Sequence, residues 1–308
     1  FTSGGTESNN WAIKSSVFPD AKMRTIITSK IEHHAVLNTC AAIELLGYPV
    51  TYLPVTDDGI VQPEKLSQYI TDNTRLVSIM LANNEIGTIE PIKVLARIAH
   101  EHGTLFHTDA VQAVGHIPIN VKELDVDMLS ASAHKFNGMK GSGFLYIRKG
   151  VELHPYADGG SQEHGRRGGR ENVAAIAAMA VALKKNCNRM EESSQRLRKL
   201  EKILLDTLTF AGIEYRRNGN SYHLPGNVNI SIKGADGEML LHRLDLKGIC
   251  ISTGSACDSV NARVSHVIEA IHVPEEYAKG TIRISFGAEN TEEEALAIAE
   301  ALLGILRK

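Results

Sequence analysis

Residues 105–112, LFHTDAVQ, hold the pattern that decides the fold of this 308-residue chain. The stretch at 105–108, which begins with Leu and Phe, predicts a short strand, and the carboxylate of Asp109 follows it directly. In an open α/β sheet, ligands bind where the strands end. The stretch therefore predicts a parallel-sheet domain with a ligand site at the carboxyl edge of its strands, and Asp109 is the first candidate residue.

The same alternation of apolar runs and helical patterns extends over the first half of the chain. Predicted strands lie at 24–28, 50–53, 76–82, 105–108, 128–132 and 143–147, and predicted helices at 35–46, 63–70, 91–102 and 172–208. After Gly212 the order becomes strand 228–232, helix 238–246, strand 281–286 and a closing helix from Thr291. We predict an α/β large domain with a mostly parallel sheet at 1–209 and a smaller α+β domain at 210–308.

Composition narrows the classes of partner and the compartment. A formal net charge of -3 gives no broad positive field for nucleic acid or an anionic membrane, so we expect a small-molecule substrate. No apolar run approaches the roughly 18 residues of a membrane helix. The four cysteines are too sparse for a disulfide framework and form no C-x-x-C pair, so a reducing, cytoplasmic setting is expected.

A lysine follows another predicted strand in the same way as Asp109. The motif SAHK at 132–135 ends in Lys135, directly after the strand at 128–132. Pyridoxal phosphate (PLP) chemistry needs a lysine amine to hold the cofactor and a carboxylate to keep the pyridine nitrogen protonated. A salt bridge at the strand ends is the alternative interpretation of Asp109 and Lys135.

The opening motif TSGGTESNN at 2–10 suits an anion. Its glycines allow a tight turn, and the N–H groups of the following helix would face a phosphate. It lacks the lysine of a P-loop and the spacing of a dinucleotide fingerprint. A glycine turn that merely caps a helix fits the same residues.

One cysteine has unusual surroundings. Cys257 lies in GSACDS at 254–259, among small polar residues that predict exposure, as a nucleophile requires. Cys40, Cys187 and Cys250 are predicted to be small core residues. His100, His102 and His107 near Asp109 are assigned surface and packing roles, and no metal site is predicted, because positions two apart on a helix point in different directions.

Taken together, these motifs resemble the class V, fold-type I PLP-dependent enzymes, and among them the cysteine desulfurases that feed iron–sulfur cluster assembly. The resemblance covers essentially the whole chain. It also rests on EHHAVL at 32–37, NNEIG at 83–87, DAVQ at 109–112 and IRIS at 282–285. It implies a fold-type I PLP-dependent transferase whose small C-terminal domain carries the cysteine loop.

The resemblance also implies the site. The PLP-binding residues would be Gly5, Thr6, His33, Asn84, Asp109, Gln112, Ser132, His134, Lys135 and Arg170. Lys135 would form the Schiff base, and His33 would stack on the ring and assist proton transfer.

Substrate handling is implied in the same way. Arg283, near Asn84, would bind the carboxylate of L-cysteine, and Cys257 would accept the sulfur as a persulfide while alanine is released. The family resemblance implies a homodimer with shared active sites and a sulfur-acceptor or scaffold protein as partner.

Two features depart from the family pattern. Members usually carry an upstream Asn-Ala-Ala-Thr-Thr segment that lines the substrate site. The sequence from Phe1 lacks it, so we expect a fragment, a natural truncation or a sequence that does not include this part. Arg170 stands where the family has a threonine that contacts the phosphate across the dimer, and we predict that Arg170 makes this contact. Two alternatives stay open: a related class V enzyme such as a selenocysteine lyase, aminotransferase or kynureninase, and a non-catalytic PLP-binding paralogue.

Overall fold

The computed structural model describes residues 1–18, 22–254 and 264–307. The chain forms two compact units. The first unit contains Phe1–Val55, Val61–Asn83 and Glu90–Asn188, and the second contains Thr56–Ile60, Asn84–Ile89 and Arg189–Lys308. The structure thus divides the chain between Asn188 and Arg189, whereas the pattern of the sequence put the change after residue 209. The assignment of a cofactor domain and a cysteine-loop domain stays a prediction.

The first unit is built on one six-stranded sheet. Its strands are β1 Thr25–Ser29, β2 Val50–Leu53, β3 Thr74–Ser78, β4 Leu105–Asp109, β5 Met128–Ser132 and β6 Gly143–Ile147. They lie in the order β2-β1-β3-β4-β5-β6. All neighbours are parallel except β5 and β6, which pair antiparallel. The predicted mostly parallel α/β fold is confirmed.

Helices precede, separate and follow these strands in the chain. They are α1 Gly5–Val17, α2 His34–Glu44, α3 Pro63–Tyr69, α4 Ile92–Glu101, α5 Val121–Leu124, a 3-10 helix Ala133–Phe136, α6 Gln162–Gly165 and α7 Val173–Phe210. Helix α3 begins with proline, whose fixed φ suits a first turn and whose missing N–H costs nothing there. Helix α5 is capped by Asn120, whose side chain accepts from the N–H of Lys122.

Helix α1 is fixed by its apolar face. Ala12, Ile13 and Val17 are fully buried and belong to one core with Ile26 of β1 and Val36 of α2. Burial of an Ile or Val side chain stabilises a fold by roughly 1.5–3 kcal/mol. The core therefore holds the start of α1 at a set position in the first unit.

Some sequence predictions need correction. The strand predicted at 76–82 ends at Ser78, although Ile79 and Leu81 still donate backbone hydrogen bonds to the chain of β4. Cys40 is buried as predicted, but the predictions for Cys187 and Cys250 were wrong, since both are exposed. Apolar character alone does not show which side of a helix or turn a small thiol occupies.

The second unit has a three-stranded antiparallel sheet in the order β7-β8-β9. Its elements are β7 Tyr215–Arg217, β8 Asn227–Ile232, α8 Gly237–Asp245, α9 His266–Ala270, α10 Glu275–Ala278, β9 Thr281–Ser285 and α11 Glu292–Leu306. Val228, Ile230, Ile282 and Leu302 are fully buried in its core. Thr291 caps α11 through a reciprocal bond with Glu294, the capping box typical of a helix start. None of the helices in the described ranges is long and apolar enough to cross a membrane.

Candidate active site

Asp109 is the buried acid at the end of β4. The N–H of Val111 donates to its Oδ1 at 2.9 Å, and the side-chain amide of Asn9 donates to its Oδ2 at 2.6 Å. Burial raises the pKa of Asp109, while these two donors and the charges of His33 and Lys135 oppose that rise. A carboxylate has further lone pairs, so Asp109 can still accept a hydrogen bond from a ligand.

Lys135 lies on the 3-10 helix that follows β5. The turn closes at Asn137, which adopts a left-handed conformation with φ 65°, and the imidazole of His116 bonds the carbonyl oxygen of Lys135 at 2.7 Å. The amine is near enough to lower the pKa of Asp109. The structure thus brings together the acid and the amine that the sequence singles out.

His33 caps the start of α2. Its Nδ1 accepts the N–H of Ala35 at 3.1 Å, so Nε2 is the ring nitrogen that can carry a proton. The preceding residue, Glu32, is fully buried, and its Oε1 accepts from the hydroxyl of Ser29 and the N–H of Met80. Burial raises the pKa of Glu32 well above its ordinary value. These contacts hold the backbone on which His33 projects.

The start of α1 forms a cradle for an anion. Gly4 precedes the helix with φ 151°, a conformation that side chains rarely adopt, and no side chain caps the helix there. Ser132 Oγ would lie 3.4 Å from a Cβ on Gly4, and it bonds His134 Nδ1 at 2.9 Å. Burial, followed by the charges of two lysines, lowers the pKa of His134. Thr6 is exposed in the first turn.

Gly5 joins this cradle to the acid. A Cβ on Gly5 would lie 2.5 Å from Cγ2 of Val111, so only glycine allows the helix start to approach the turn after Asp109. Gln112, half-buried, follows in that turn. An uncapped helix start with neighbouring Ser and His donors fits a phosphate, and the buried acid beside an amine fits a pyridine ring. The residues present therefore fit PLP.

The loop at 159–170 is attached to the cradle by an ion pair. Arg167 donates from both Nε and Nη2 to the carboxylate of Glu7, at 2.5 and 3.2 Å. Ser3 also donates to Glu7, and although burial opposes it, these bonds lower the pKa of Glu7. Arg170 is exposed at the end of the loop. Its predicted contact with a phosphate stays a prediction.

In the second unit, the structure brings Arg283 and Asn84 together. The Nη1 of Arg283 donates to the carbonyl oxygen of Asn84 at 3.0 Å. Its buried Nε has no hydrogen-bond partner among the described residues. Burial lowers the pKa of Arg283, and the charge of Glu85 opposes that shift. A desolvated guanidinium with an unused donor is suited to a carboxylate ligand.

The remaining residues singled out in the sequence are Cys257 and the histidines before Asp109. Cys257 lies outside the described residues. His100 bonds Asp125 and Asp127, and the buried His107 bonds Ser78 and Ser130. Within the described part of the chain, no group of three or more His, Cys, Asp or Glu residues could hold a metal ion.

Sequence reasoning missed Asn9, Glu32 and Glu85. Each stands in a quoted motif near a candidate residue, yet the sequence of a motif does not show what its other polar residues bond. A buried partner from a distant part of the chain identifies these residues, and only the fold shows it.

Known proteins match this chain along its full length. The family described as "Aminotransferase class-V" matches residues 1–298. A solved structure titled "NIFS-LIKE PROTEIN" is 39% identical with a TM-score of 0.92, and the match covers 99% of this chain and 81% of that one. The chain therefore belongs to the class V aminotransferase family, which has the fold-type I architecture.

The relatives within that class carry a narrower name. "Cysteine desulfurase IscS" of Dictyoglomus turgidum is 50% identical over 100% of this chain and 79% of its own length. The protein of the same name from Methanosarcina thermophila is 49% identical over 100% of this chain and 76% of its own. This chain is a member of the cysteine desulfurase family of PLP-dependent enzymes.

Proposed function

We propose that this chain is a cysteine desulfurase that converts L-cysteine to L-alanine and transfers the sulfur to Cys257. The observation that carries the proposal is the buried Asp109, fixed by donors on both oxygens, beside the amine of Lys135. Two relatives named cysteine desulfurase, and a solved structure titled "SspA in complex with cysteine", 35% identical over 94% of this chain with a TM-score of 0.80, support it.

Residues of the first unit would bind PLP. Ser132, His134 and Thr6, with the start of α1 at Gly5, would bind its phosphate, and Asp109 would accept the ring N–H. Gln112 would contact the hydroxyl side of the ring. When bound, PLP withdraws electrons from the substrate α-carbon.

Lys135 and His33 would handle protons. The amine of Lys135 would hold the cofactor covalently and, once displaced by substrate, remove the α-proton. His33, whose Nδ1 is already occupied by the N–H of Ala35, would present Nε2 to the reacting groups.

Arg283 and Asn84 would bind the substrate, with the guanidinium on the carboxylate of cysteine. The thiolate of Cys257 attacks the substrate sulfur. A sulfur–sulfur bond forms, the carbon–sulfur bond breaks, and its electron pair stays on carbon, which takes up a proton. The products are alanine and a persulfide on Cys257, so atoms and electrons balance without an added oxidant.

The protein context follows from the same family. We propose a cytoplasmic homodimer in which Arg170 of each copy reaches the phosphate in the other copy's site. A scaffold or carrier protein would take the sulfur from Cys257 for iron–sulfur clusters or another sulfur-containing cofactor.

An absorbance spectrum with PLP, followed by addition of cysteine and assays for alanine and sulfide, tests the proposal. The wild-type chain should show a cofactor band and form both products. Lys135→Ala should lose the covalent band, whereas Cys257→Ala should keep it and lose sulfide production. Cys187→Ala is the matched control, because Cys187 is an exposed cysteine with no proposed role. Unimpaired sulfide release by Cys257→Ala would contradict the assignment, and transfer of the amino group to a keto acid would favour an aminotransferase.

A further inference from the structure

The two described ends of the segment that carries Cys257 lie side by side in the second unit. A Cβ built on Gly254 would lie 3.5 Å from Cβ of Ser265 and 3.6 Å from Oε2 of Glu85. Both ends therefore meet at one buried carboxylate. Glu85 directly follows Asn84, which places this meeting point next to the residues proposed to bind cysteine.

The far end of the segment is held by a hydroxyl. Ser265 Oγ donates to Oε2 of Glu85 at 2.6 Å and accepts the N–H of Val267 at 3.1 Å, so it also caps α9. The carbonyl oxygen of Glu85 accepts from the side-chain amide of Asn229 on β8, at 3.2 Å. Ser265 is thus fixed to the sheet of the second unit through Glu85.

The near end is held by the backbone of Arg283, the residue proposed to bind the substrate carboxylate. Ser252 and Arg283 exchange two backbone hydrogen bonds, of 3.0 and 2.6 Å. Ser252 Oγ then donates to the carbonyl oxygen of Gly254 at 2.7 Å. Any shift of this end would therefore also shift the backbone from which the side chain of Arg283 projects.

We propose that Ser265 and Glu85 are positioning residues for sulfur transfer: they hold the ends of the Cys257 segment beside Arg283. This proposal rests on the proposed function. Cys257 is three residues after Gly254, and three residues of chain span at most about 11 Å. Attack on sulfur needs the reacting atoms roughly 3–3.5 Å apart, so fixed ends increase the fraction of time in which the thiolate can attack. Cysteine binding, by contrast, is assigned to Arg283 and Asn84, and substitution of Ser265 leaves both of these residues in place.

The full chain with PLP allows a test with matched variants. Ser265→Ala removes the hydroxyl, and Ser265→Thr keeps it. Thr291→Ala is the control, because Thr291 is a hydroxyl cap of another helix in the same unit and contacts neither Glu85 nor Arg283. Single-turnover experiments would measure alanine and the persulfide on Cys257 by mass spectrometry, and a spectral titration would measure cysteine affinity.

We expect Ser265→Ala to slow persulfide formation by about tenfold and to change the dissociation constant for cysteine by less than about twofold. Ser265→Thr should restore the rate, and Thr291→Ala should match the wild type in both. Hydrogen exchange of the PLP-free chain gives a second readout: the amide of Val267, which donates to Oγ of Ser265, should exchange faster in Ser265→Ala and not in Thr291→Ala.

Equal persulfide rates in Ser265→Ala and Thr291→Ala would overturn the positioning role. If the wild type still produces alanine in that experiment, the proposed desulfurase activity stands. A parallel loss of cysteine affinity would also overturn the positioning role, because Ser265 would then act in binding. A wild-type chain that forms neither alanine nor persulfide would reject the proposed function, and the positioning role with it.

Discussion

Replacement of Asn9 by alanine tests how the chain keeps Asp109 available as an anion. The substitution removes the amide that donates to Oδ2 of Asp109 at 2.6 Å. It leaves the other donor, the backbone N–H of Val111, on Oδ1. Hydrogen bonds to charged groups contribute about 1.5–3 kcal/mol. The pKa of Asp109 should therefore rise further, because the lost amide donor favours the ionised form of the carboxyl.

The direction of the pH dependence follows from the linkage between protonation of Asp109 and the free energy of unfolding. Burial already raises the pKa of Asp109 in the folded chain. The neutral carboxyl therefore contributes its whole stabilisation below about pH 4, and this contribution is lost as pH rises through the folded pKa. In Asn9→Ala the loss continues to a higher pH. The free-energy deficit of the variant should therefore be small near pH 4 and reach about 1.5–3 kcal/mol above the variant's own pKa.

Urea unfolding of the PLP-free chain between pH 4 and pH 8 measures this deficit. Asn10→Ala is the matched control: it lies on the same helix, and its amide bonds the carbonyl oxygen of Thr6, so its deficit should not vary with pH. A deficit of Asn9→Ala that is constant across the range would refute the reasoning. A PLP dissociation constant weakened by about tenfold at neutral pH in Asn9→Ala alone would be the corresponding effect on the cofactor.

Three further substitutions should change PLP affinity or stability. Gly5→Ala should weaken PLP binding, because its Cβ would lie 2.5 Å from Val111, whereas Gly304→Ala, with nothing within 4 Å, should not; equal affinities would contradict the cradle. Burial raises the pKa of Glu90 to about 8, so the wild type loses stability as its neutral form is lost between pH 5 and pH 8. Relative to the wild type, the free energy of unfolding of Glu90→Gln should therefore increase by on the order of 3 kcal/mol over this range. The same difference between variant and wild type at both pH values, measured by urea unfolding, would disprove this. Arg170→Ala should weaken PLP binding in the dimer, and unchanged affinity by titration would exclude the proposed phosphate contact.

The fold was predictable where the apolar pattern and the turns agree. Strands β2, β5 and β6 have the predicted bounds, since each apolar run stops at residues that suit a turn. The run at 76–82 was read as one strand because its apolar residues continue past Ser78, where regular pairing ends. A continuous apolar run shows burial, but hydrogen bonding to neighbours decides where a strand ends.

The site was predictable to the extent that its residues follow strands directly. Asp109, Ser132 and Lys135 are predicted in this way, because neighbouring parallel strands end at one edge of the sheet. The partners that hold such residues could not be found. Asn9 is 100 residues from Asp109, and Ser265 is 180 residues from Glu85, so each pairing exists only once the chain has folded.

Buried acids in the first unit show what the fold adds to a motif. Glu32, Glu90 and Asp109 are all buried, and burial raises the pKa of each. Glu90 is opposed by one backbone donor, and Glu32 by two donors on one oxygen while nearby acids raise its pKa further. Asp109 has a donor on each oxygen and the nearby charges of His33 and Lys135. Among these three acids, Asp109 is therefore best able to stay ionised without water, and this is the property that a protonated ring nitrogen requires of its partner.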